Sequence, residues 1–177
     1  MQLQQSLNST IDKINIMEQL KSYLTFRIGL EQFAANAVFV HNIIEIPKIT
    51  TLPEMPNYMI GVINLRGKVL PVVDSRIKFG FTNTEITNNT CIIVMEVCIE
   101  EKQVFIGMLV DAVSEVLEIE PEQIKAPPSI GVGIENNFIT GVFQNQNKFT
   151  MILDMNKVLS TNELIHVGNL NTTKIEE

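Results

Sequence analysis

Two stretches of the chain, 80 residues apart, contain the same residue types in the same order, and this internal repeat constrains the fold more than any other feature. Each copy has an aromatic residue, Gly-Val, a polar turn that ends in Lys, and an apolar run that ends in Asp. The matched positions are Tyr58 and Phe138, Gly61 and Gly141, Val62 and Val142, Lys68 and Lys148, and Asp74 and Asp154. A shift of 73 extends the match upstream, from Val40 and Ile43 to Val113 and Val116. The repeat predicts two small, similar folding units.

Composition indicates that these units consist of strands. Ile and Val together supply 40 of the 177 residues, whereas Ala supplies 5. Side chains branched at Cβ favour strands, and a shortage of Ala disfavours a helix bundle. Apolar and polar residues alternate from Leu24 to Ile28, as in a half-buried strand, and turn signals such as Arg66-Gly67 separate later apolar runs. We therefore predict an all-β fold of two small β-barrels.

The same patterns assign the individual elements. Strands are predicted from residue 23, from residue 33, and over 46–50, 62–65, 69–73, 90–97, 103–110, 138–143 and 149–153. Short helices are predicted over 38–44, 75–79, 113–117 and 155–159. Asp74 and Asp154 each stand between an apolar run and a short helix, which predicts helix capping and disfavours an acid–base pair of carboxylates.

The ends of the chain differ in composition from its middle. We predict a polar leader over 1–21, a folded domain of two β-barrel subdomains over 22–160 and a polar tail over 161–177. The leader has a helical stripe of apolar residues, at Leu3, Leu7, Ile11, Ile14, Met17 and Leu20. This stripe fits either a loose leader outside the core or an interaction helix.

Charge and chemistry exclude several classes of function. Thirteen Lys and Arg against twenty Asp and Glu give a net charge of −7, which disfavours nucleic acid as a partner. No apolar run is long enough to span a bilayer and no signal peptide is visible, so we expect a cytoplasmic protein with no direct membrane insertion. Cys91 and Cys98 are expected to lie in one strand as small buried hydrophobes that do not pair. Two His residues with these cysteines match no metal site, and no catalytic constellation or cofactor motif is present. We expect neither an enzyme, nor a metal, nor a cofactor.

Apolar residues at equivalent places in the two copies are candidates for a binding surface. Val40, Ile43, Val113 and Val116 fit either the core or a groove between the copies that accepts an amphipathic helix. Arg66, in a tight turn with apolar neighbours, fits either a solvated side chain or a contact residue.

Two long motifs resemble the signature of the CheW-like chemotaxis coupling proteins. The first spans 61–74 and reads Gly-Val-Ile-Asn-Leu-Arg-Gly-Lys-Val-Leu-Pro-Val-Val-Asp. The second spans 107–117, Gly-Met-Leu-Val-Asp-Ala-Val-Ser-Glu-Val-Leu, and is followed at 121–124 by Pro-Glu-Gln-Ile. The similarity extends over about residues 23–160. The fold that this resemblance implies is two intertwined five-stranded SH3-like barrels around a shared apolar core, in agreement with the repeat.

The resemblance also implies binding residues. Those for receptors are Val40, Asn42, Ile43, Gly107, Val113 and Val116. Those for the kinase are Gly61, Asn64, Leu65, Arg66 and Gly67, in a turn region that affects coupling to both partners, together with Ile130 after the double proline. Members of the family commonly have Glu where this chain has Asn42, and that Glu can pair with the arginine that matches Arg66. A neutral Asn replaces a charge-assisted bond of about 1.5–3 kcal/mol by at best an ordinary bond of about 1 kcal/mol.

The implied function is a non-catalytic adaptor in a two-component system. It would couple the cytoplasmic tips of methyl-accepting chemoreceptors to the regulatory domain of a CheA-type histidine kinase. We expect a free-standing protein, monomeric when free, that associates with membrane chemoreceptor arrays. The alternative, from a different class, is a small β-barrel that binds a small ligand or nucleic acid.

Overall fold

The computed structural model of the chain describes residues 2–81, 85–127, 137–159 and 163. Its strands are β1 (Ser22–Ile28), β2 (Glu31–Asn36), β3 (Val40–Glu45), β4 (Met59–Leu65), β5 (Lys68–Asp74), β6 (Cys91–Ile99), β7 (Lys102–Val110), β8 (Ala112–Glu118), β9 (Ile124–Lys125), β10 (Ile139–Asn145) and β11 (Lys148–Leu153). Its helices are α1 (Gln2–Gln19), α2 (Ser75–Lys78) and α3 (Met155–Val158), with 3-10 turns at Ala37–Phe39 and Pro121–Gln123.

The strands form two sheets, and the chain passes from the first sheet to the second and back. The six-stranded sheet has the order β8-β1-β2-β11-β10-β9, and the five-stranded sheet has the order β3-β6-β7-β5-β4. Each contains one parallel pair, β2 with β11 and β5 with β7. Strands from before and after the second sheet therefore combine in the first, so the two subdomains are intertwined. The predicted all-β fold of two intertwined units is confirmed, and the two-residue β9 makes the first sheet six-stranded.

The largest hydrophobic core is shared between the sheets. Phe26 and Phe33 of the first sheet belong to the same buried cluster as Ile93 and Met108 of the second. A smaller cluster lies within each sheet, around Ile92 in the second and around residues such as Phe143 in the first. Full burial of one such side chain contributes about 1.5–3 kcal/mol. Because the largest cluster draws on both sheets, each subdomain depends on the other for its stability.

The repeat predicted the caps of the two short helices correctly. Asp74 Oδ1 accepts a hydrogen bond from the backbone N–H of Arg76 at 3.0 Å, at the start of α2. Asp154 Oδ1 accepts the equivalent bond from Asn156 at 3.0 Å, at the start of α3. Each carboxylate satisfies a helix N–H that would otherwise lack a partner, as an N-cap does.

Two predicted helices are wrong. The segment 38–44 covers the end of the 3-10 turn and most of β3, and the segment 113–117 lies in β8. In β3 the pairing with β6 skips from Val40 to Asn42, so one residue is extra. In β8 the pairing with β1 advances three residues, from Val113 to Val116, where β1 advances two. A β-bulge inserts such an extra residue and interrupts the alternation of a strand. The resulting spacing of three resembles that of a helix.

Two smaller expectations are also corrected. Residues 46–50 form no strand, and only Thr50 of this run pairs, through two backbone hydrogen bonds of 2.8 Å with Val62. Cys91 is half-buried against the largest core cluster, as expected, but Cys98 is exposed. Both thiols are free, as their separation along one strand predicts.

A buried ionic network joins the sheets at the ends of their strands. Arg76 is only 5% exposed, and its Nε and Nη2 donate to the two carboxylate oxygens of Asp74 at 3.0 and 3.1 Å. Its Nη1 donates to Asp111 Oδ1 at 3.2 Å, and Asp111 Oδ2 accepts from the N–H of Gly29 at 2.6 Å. Burial alone would lower the pKa of Arg76, but its bonds to the two carboxylates outweigh this and raise the pKa. No local sequence pattern predicted this network.

The helix α1 precedes the first sheet. Its apolar residues Leu7, Ile11, Ile14 and Met17 are exposed. No helix in the described ranges is long and apolar enough to cross a membrane. The division into leader, domain and tail at residues 21 and 160 stays a prediction, and the proposed tail lies outside the described residues except for Glu163.

Candidate interaction site

A cleft of about 190 Å³ lies where β3, the β4–β5 hairpin and β7 meet. Its lining consists of His41 and Asn42 from β3, Leu65, Arg66, Lys68, Val69 and Leu70 from the hairpin, and Phe105 from β7. Val69 and Leu70 are buried, whereas the polar lining residues are exposed. The cleft therefore has an apolar base and a polar rim. It brings together Asn42, Leu65 and Arg66, which the resemblance assigned to two different partners.

The bulge in β3 explains how two consecutive residues line the same cleft. Side chains alternate between the faces of a regular strand, so His41 and Asn42 would point to opposite sides. The extra residue between Val40 and Asn42 interrupts that alternation and redirects a side chain. The ring of His41 meets that of Phe105 edge-to-face, with centroids 5.0 Å apart.

The β4–β5 turn holds Arg66 at the rim. Leu65 pairs with Lys68, so Arg66 and Gly67 alone connect the strands, with φ angles of 53° and 81°. Two positive φ values match a type I′ hairpin turn, which prefers Asn, Asp or Gly at its first position. Asn64 Oδ1 accepts from the N–H of Gly67 at 2.8 Å and so stabilises the turn.

The second copy of the repeat contains the same turn with different chemistry. Gln146 and Asn147 occupy it with φ angles of 47° and 65°. The positive φ of Arg66 therefore belongs to the hairpin geometry that both copies share. What distinguishes the first copy is the guanidinium group at the rim of its cleft.

The rim of the cleft is cationic in a chain whose net charge is −7. It contains Arg66 and Lys68 and no Asp or Glu, and Lys68 Nζ lies 5.8 Å from the centroid of the Phe105 ring. Within the described ranges, neither cation forms an ion pair with a carboxylate. Asn42 Oδ1 accepts from the backbone N–H of Ile43 at 2.8 Å, and no described hydrogen bond joins Asn42 to Arg66.

Two glycines assigned to binding are buried, and their role is to permit close packing. Gly61 has a φ of 145° at a register shift in β4, and a Cβ there would overlap the carbonyl oxygen of Thr50. A Cβ on Gly107 would lie 2.8 Å from Cγ2 of Ile92 and 3.4 Å from Leu70, at the base of the cleft. Neither glycine offers a side chain to a partner, so each shapes the sheet beneath the surface.

The four apolar candidates on β3 and β8 divide into two pairs. Ile43 and Val116 are 42% and 59% exposed, which resolves the alternatives left open by the sequence in favour of the surface. Val40 and Val113 are half-buried against the largest core cluster. Both strands are edge strands of their sheets. The exposed pair is therefore available to a partner, while the half-buried pair anchors the two edges.

Val113 also lines a second, polar concavity with Arg27, Ala112 and Ser114. Cys91 borders the same concavity, close to the backbone of Val113. Burial raises the pKa of the Cys91 thiol, against a smaller lowering by a hydrogen bond to the Val113 backbone. This thiol is therefore less reactive than an ordinary exposed one.

Comparison with known proteins identifies the family. The sequence model of the CheW-like domain matches residues 22–163. The chain belongs to this family. It is 29% identical over 162 residues to the chemotaxis protein CheW of Klebsiella aerogenes, covering 92% of this chain and 95% of that protein. It is 34% identical over 143 residues to CheW of Rhizobium meliloti, covering 81% of this chain and 90% of that protein.

The fold of this CheW-like domain also matches a solved structure. The crystal structure of the scaffolding protein TtCheW from Thermoanaerobacter tengcongensis superimposes with a TM-score of 0.70 at 30% identity. The match covers 81% of this chain and 96% of TtCheW. The predicted family, the β fold and the adaptor function in chemotaxis are confirmed.

The sequence missed some of the residues that build the site. His41 and Phe105 line the cleft but lie outside the residues inferred from the resemblance, and Lys68 was noted as a repeat and motif position without a binding role. No local sequence pattern predicts that Phe105 lines the cleft, because its position there depends on the pairing of β7 with β6 and β5. One predicted contact residue, Ile130, lies outside the described residues, so its role stays a prediction.

Proposed function

We propose that this CheW-like protein is a non-catalytic adaptor that couples chemoreceptor cytoplasmic tips to the regulatory domain of a CheA-type histidine kinase. The observation that carries the proposal is the family match over residues 22–163, which spans both sheets. A small-ligand function has less support, because the cleft of about 190 Å³ falls below the roughly 300–1,000 Å³ typical of small-molecule pockets. The second concavity, at Val113, measures about 520 Å³, but its lining is mostly polar, whereas such pockets are lined mainly by apolar side chains.

The proposed receptor contact uses the two edge strands β3 and β8. Ile43 and Val116 supply exposed apolar side chains, and Asn42 lies beside Ile43 at the cleft. Exposed apolar residues on equivalent elements suit an amphipathic helix that lays its apolar face across them. Val40 and Val113 anchor these strands to the core, and Gly107 lies against Leu70 at the base of the adjoining cleft.

The proposed kinase contact centres on the β4–β5 turn. Leu65 and Arg66 supply the side chains, while Asn64 and Gly67 fix the turn and Gly61 fixes the bulge before it. A turn held by its own hydrogen bond presents these side chains with little loss of conformational entropy on binding. The family resemblance adds Ile130, which lies outside the described residues, to the proposed kinase contacts.

We propose a cytoplasmic location in association with receptor arrays, a monomeric free state, and no cofactor. Within the described ranges, no group of three or more His, Cys, Asp or Glu side chains could hold a metal ion. The lining of the cleft contains no nucleophile paired with a base. Its residues suit binding, which agrees with a scaffold.

The experiment that tests this function is co-sedimentation of the full chain with receptor-tip fragments and a CheA-type kinase, with kinase autophosphorylation measured in parallel. We expect the kinase to sediment with the receptor fragments only when this protein is present, and its rate to change. If the kinase behaves identically with and without this protein, the proposed function is wrong.

Two surface variants make the assay specific. Ile43→Ser and Val116→Ser remove exposed apolar side chains and should leave the fold intact, and each should weaken receptor binding about tenfold if the site is a hot spot. Ile86→Ser is the matched control, since Ile86 is 67% exposed and lies outside both proposed surfaces. Equal binding by all three variants would remove β3 and β8 from the receptor interface.

A further inference from the structure

The cleft at the β4–β5 turn has a charge imbalance that the proposed function does not explain. Arg66 and Lys68 lie at its rim, its lining contains no carboxylate, and no described acidic group pairs with either cation. Asn42, the polar residue that shares the cleft with Arg66, uses its Oδ1 on the neighbouring Ile43 N–H. The cations are therefore available to an anion from outside the chain.

The shape and base of the cleft favour a single side chain as that anion. A volume of about 190 Å³ is smaller than a typical small-molecule pocket. Val69 and Leu70 are buried beneath the rim, and Phe105 lies against His41 and below Lys68. Apolar groups near an ion pair lower the local dielectric constant and strengthen the attraction. A guanidinium binds a carboxylate through two parallel hydrogen bonds.

We propose that this cleft binds one Asp or Glu side chain of a receptor-tip helix, held by Arg66 and Lys68. This inference rests on the proposed function and specifies the chemistry of its partner. Arg66 also belongs to the proposed kinase contact. The receptor is nevertheless favoured over the kinase as the source of the carboxylate, because β3 borders both the cleft and the proposed receptor surface. It supplies His41 and Asn42 to the cleft and exposes Ile43 beside them. A helix with an acidic residue next to apolar residues would match this combination of a cationic cleft and an apolar neighbour.

The test is a double-mutant cycle between the full chain and a receptor-tip fragment. Arg66→Gln is the appropriate change, because the equivalent turn position in the second copy is already Gln146 at nearly the same φ. The fragments carry single Asp→Asn or Glu→Gln changes along the tip. We expect Arg66→Gln to weaken binding about tenfold, because a charged hydrogen bond contributes more than a neutral one. For one fragment variant, the loss of binding free energy with Arg66→Gln and the fragment change together should be no larger than the loss with either change alone.

A matched control comes from the repeat. Lys148 occupies in the second copy the place that Lys68 has in the first, and it is exposed. We expect Lys68→Gln to weaken binding and to reduce its dependence on salt, and Lys148→Gln to change neither. A charge swap, Arg66→Glu with Lys in place of the identified receptor carboxylate, should restore part of the lost affinity.

The outcomes separate this inference from the proposed function. If the unmodified chain fails to bind receptor tips, the proposed function is wrong and the inference falls with it. If it binds but the effect of Arg66→Gln adds independently to that of every receptor carboxylate, the function stands and the inference is wrong. Coupling of Arg66 to a carboxylate of the kinase regulatory domain would likewise overturn the assignment to the receptor.

Discussion

Replacing Arg66 by Asn should make the protein more stable and a weaker binder at the same time. Arg66 lies in the left-handed region, at φ 53°, at the first position of a two-residue turn. That conformation costs an L-residue about 1–2 kcal/mol, and Asn tolerates it better than Arg does. The change also creates the Asn-Gly pair that type I′ turns favour most. We expect a gain of about 0.5–1 kcal/mol in the free energy of unfolding.

That gain can be measured by thermal and urea denaturation. For a protein of this size, about 1 kcal/mol shifts the melting temperature by roughly 2–4 °C, so the expected rise is about 1–4 °C. The guanidinium is lost from the cleft rim in the same variant, so receptor binding should fall about tenfold, as titration with receptor-tip fragments would show. Most destabilising variants lose both properties together, which makes opposite signs diagnostic of a contact residue.

Gln146→Asn provides the matched control, because Gln146 has φ 47° in the equivalent turn of the second copy. It should give a similar gain in stability and leave binding unchanged. A fall in melting temperature for Arg66→Asn would refute the argument from turn geometry. Unchanged affinity would refute the argument that the guanidinium contacts a partner.

Three further predictions concern the interior and the thiols. Arg76→Met should lower the free energy of unfolding by about 3–5 kcal/mol in urea denaturation, because two carboxylates lose their buried partner. Lys157→Met, which breaks an exposed ion pair, should lower it by less than about 1 kcal/mol. Equal losses of stability in the two variants would mean that the buried network stabilises the protein no more than an exposed ion pair does. Gly61→Ala should lower the free energy of unfolding by at least about 2 kcal/mol, since the new Cβ would overlap a backbone carbonyl that cannot rotate away. A variant as stable as the unmodified protein would contradict the tight packing. With limiting maleimide near pH 7.5, mass spectrometry should find Cys98 modified before Cys91, whose pKa is raised by burial; the reverse order would show that Cys91 is more accessible than its packing indicates.

The strands and caps could be predicted because their signals are local. Asp74 and Asp154 precede short helices in both copies and cap them as expected. The Arg66-Gly67 turn was evident because its flanking runs are apolar and Gly accepts a positive φ. By contrast, β3 and β8 were predicted as helices, since each bulge changes the apolar spacing from two residues to three. Bulges depend on the partner strand, so the local pattern could not distinguish them from a helical turn.

The sequence by itself determined the duplication, the β class, the absence of a charge pattern for nucleic acid, and the family, because repeat order and motif spacing are properties of the chain alone. Only the tertiary structure decided which of these residues meet. His41, Arg66 and Phe105 are up to 64 residues apart (105 − 41), and the pairing of β3 and β5 around β6 and β7 brings them to one cleft. Likewise, Asp111 reaches Arg76 only because the chain returns to the first sheet there. Such contacts arise from strand pairing and burial of a shared core, whose free energy depends on residues distant in sequence.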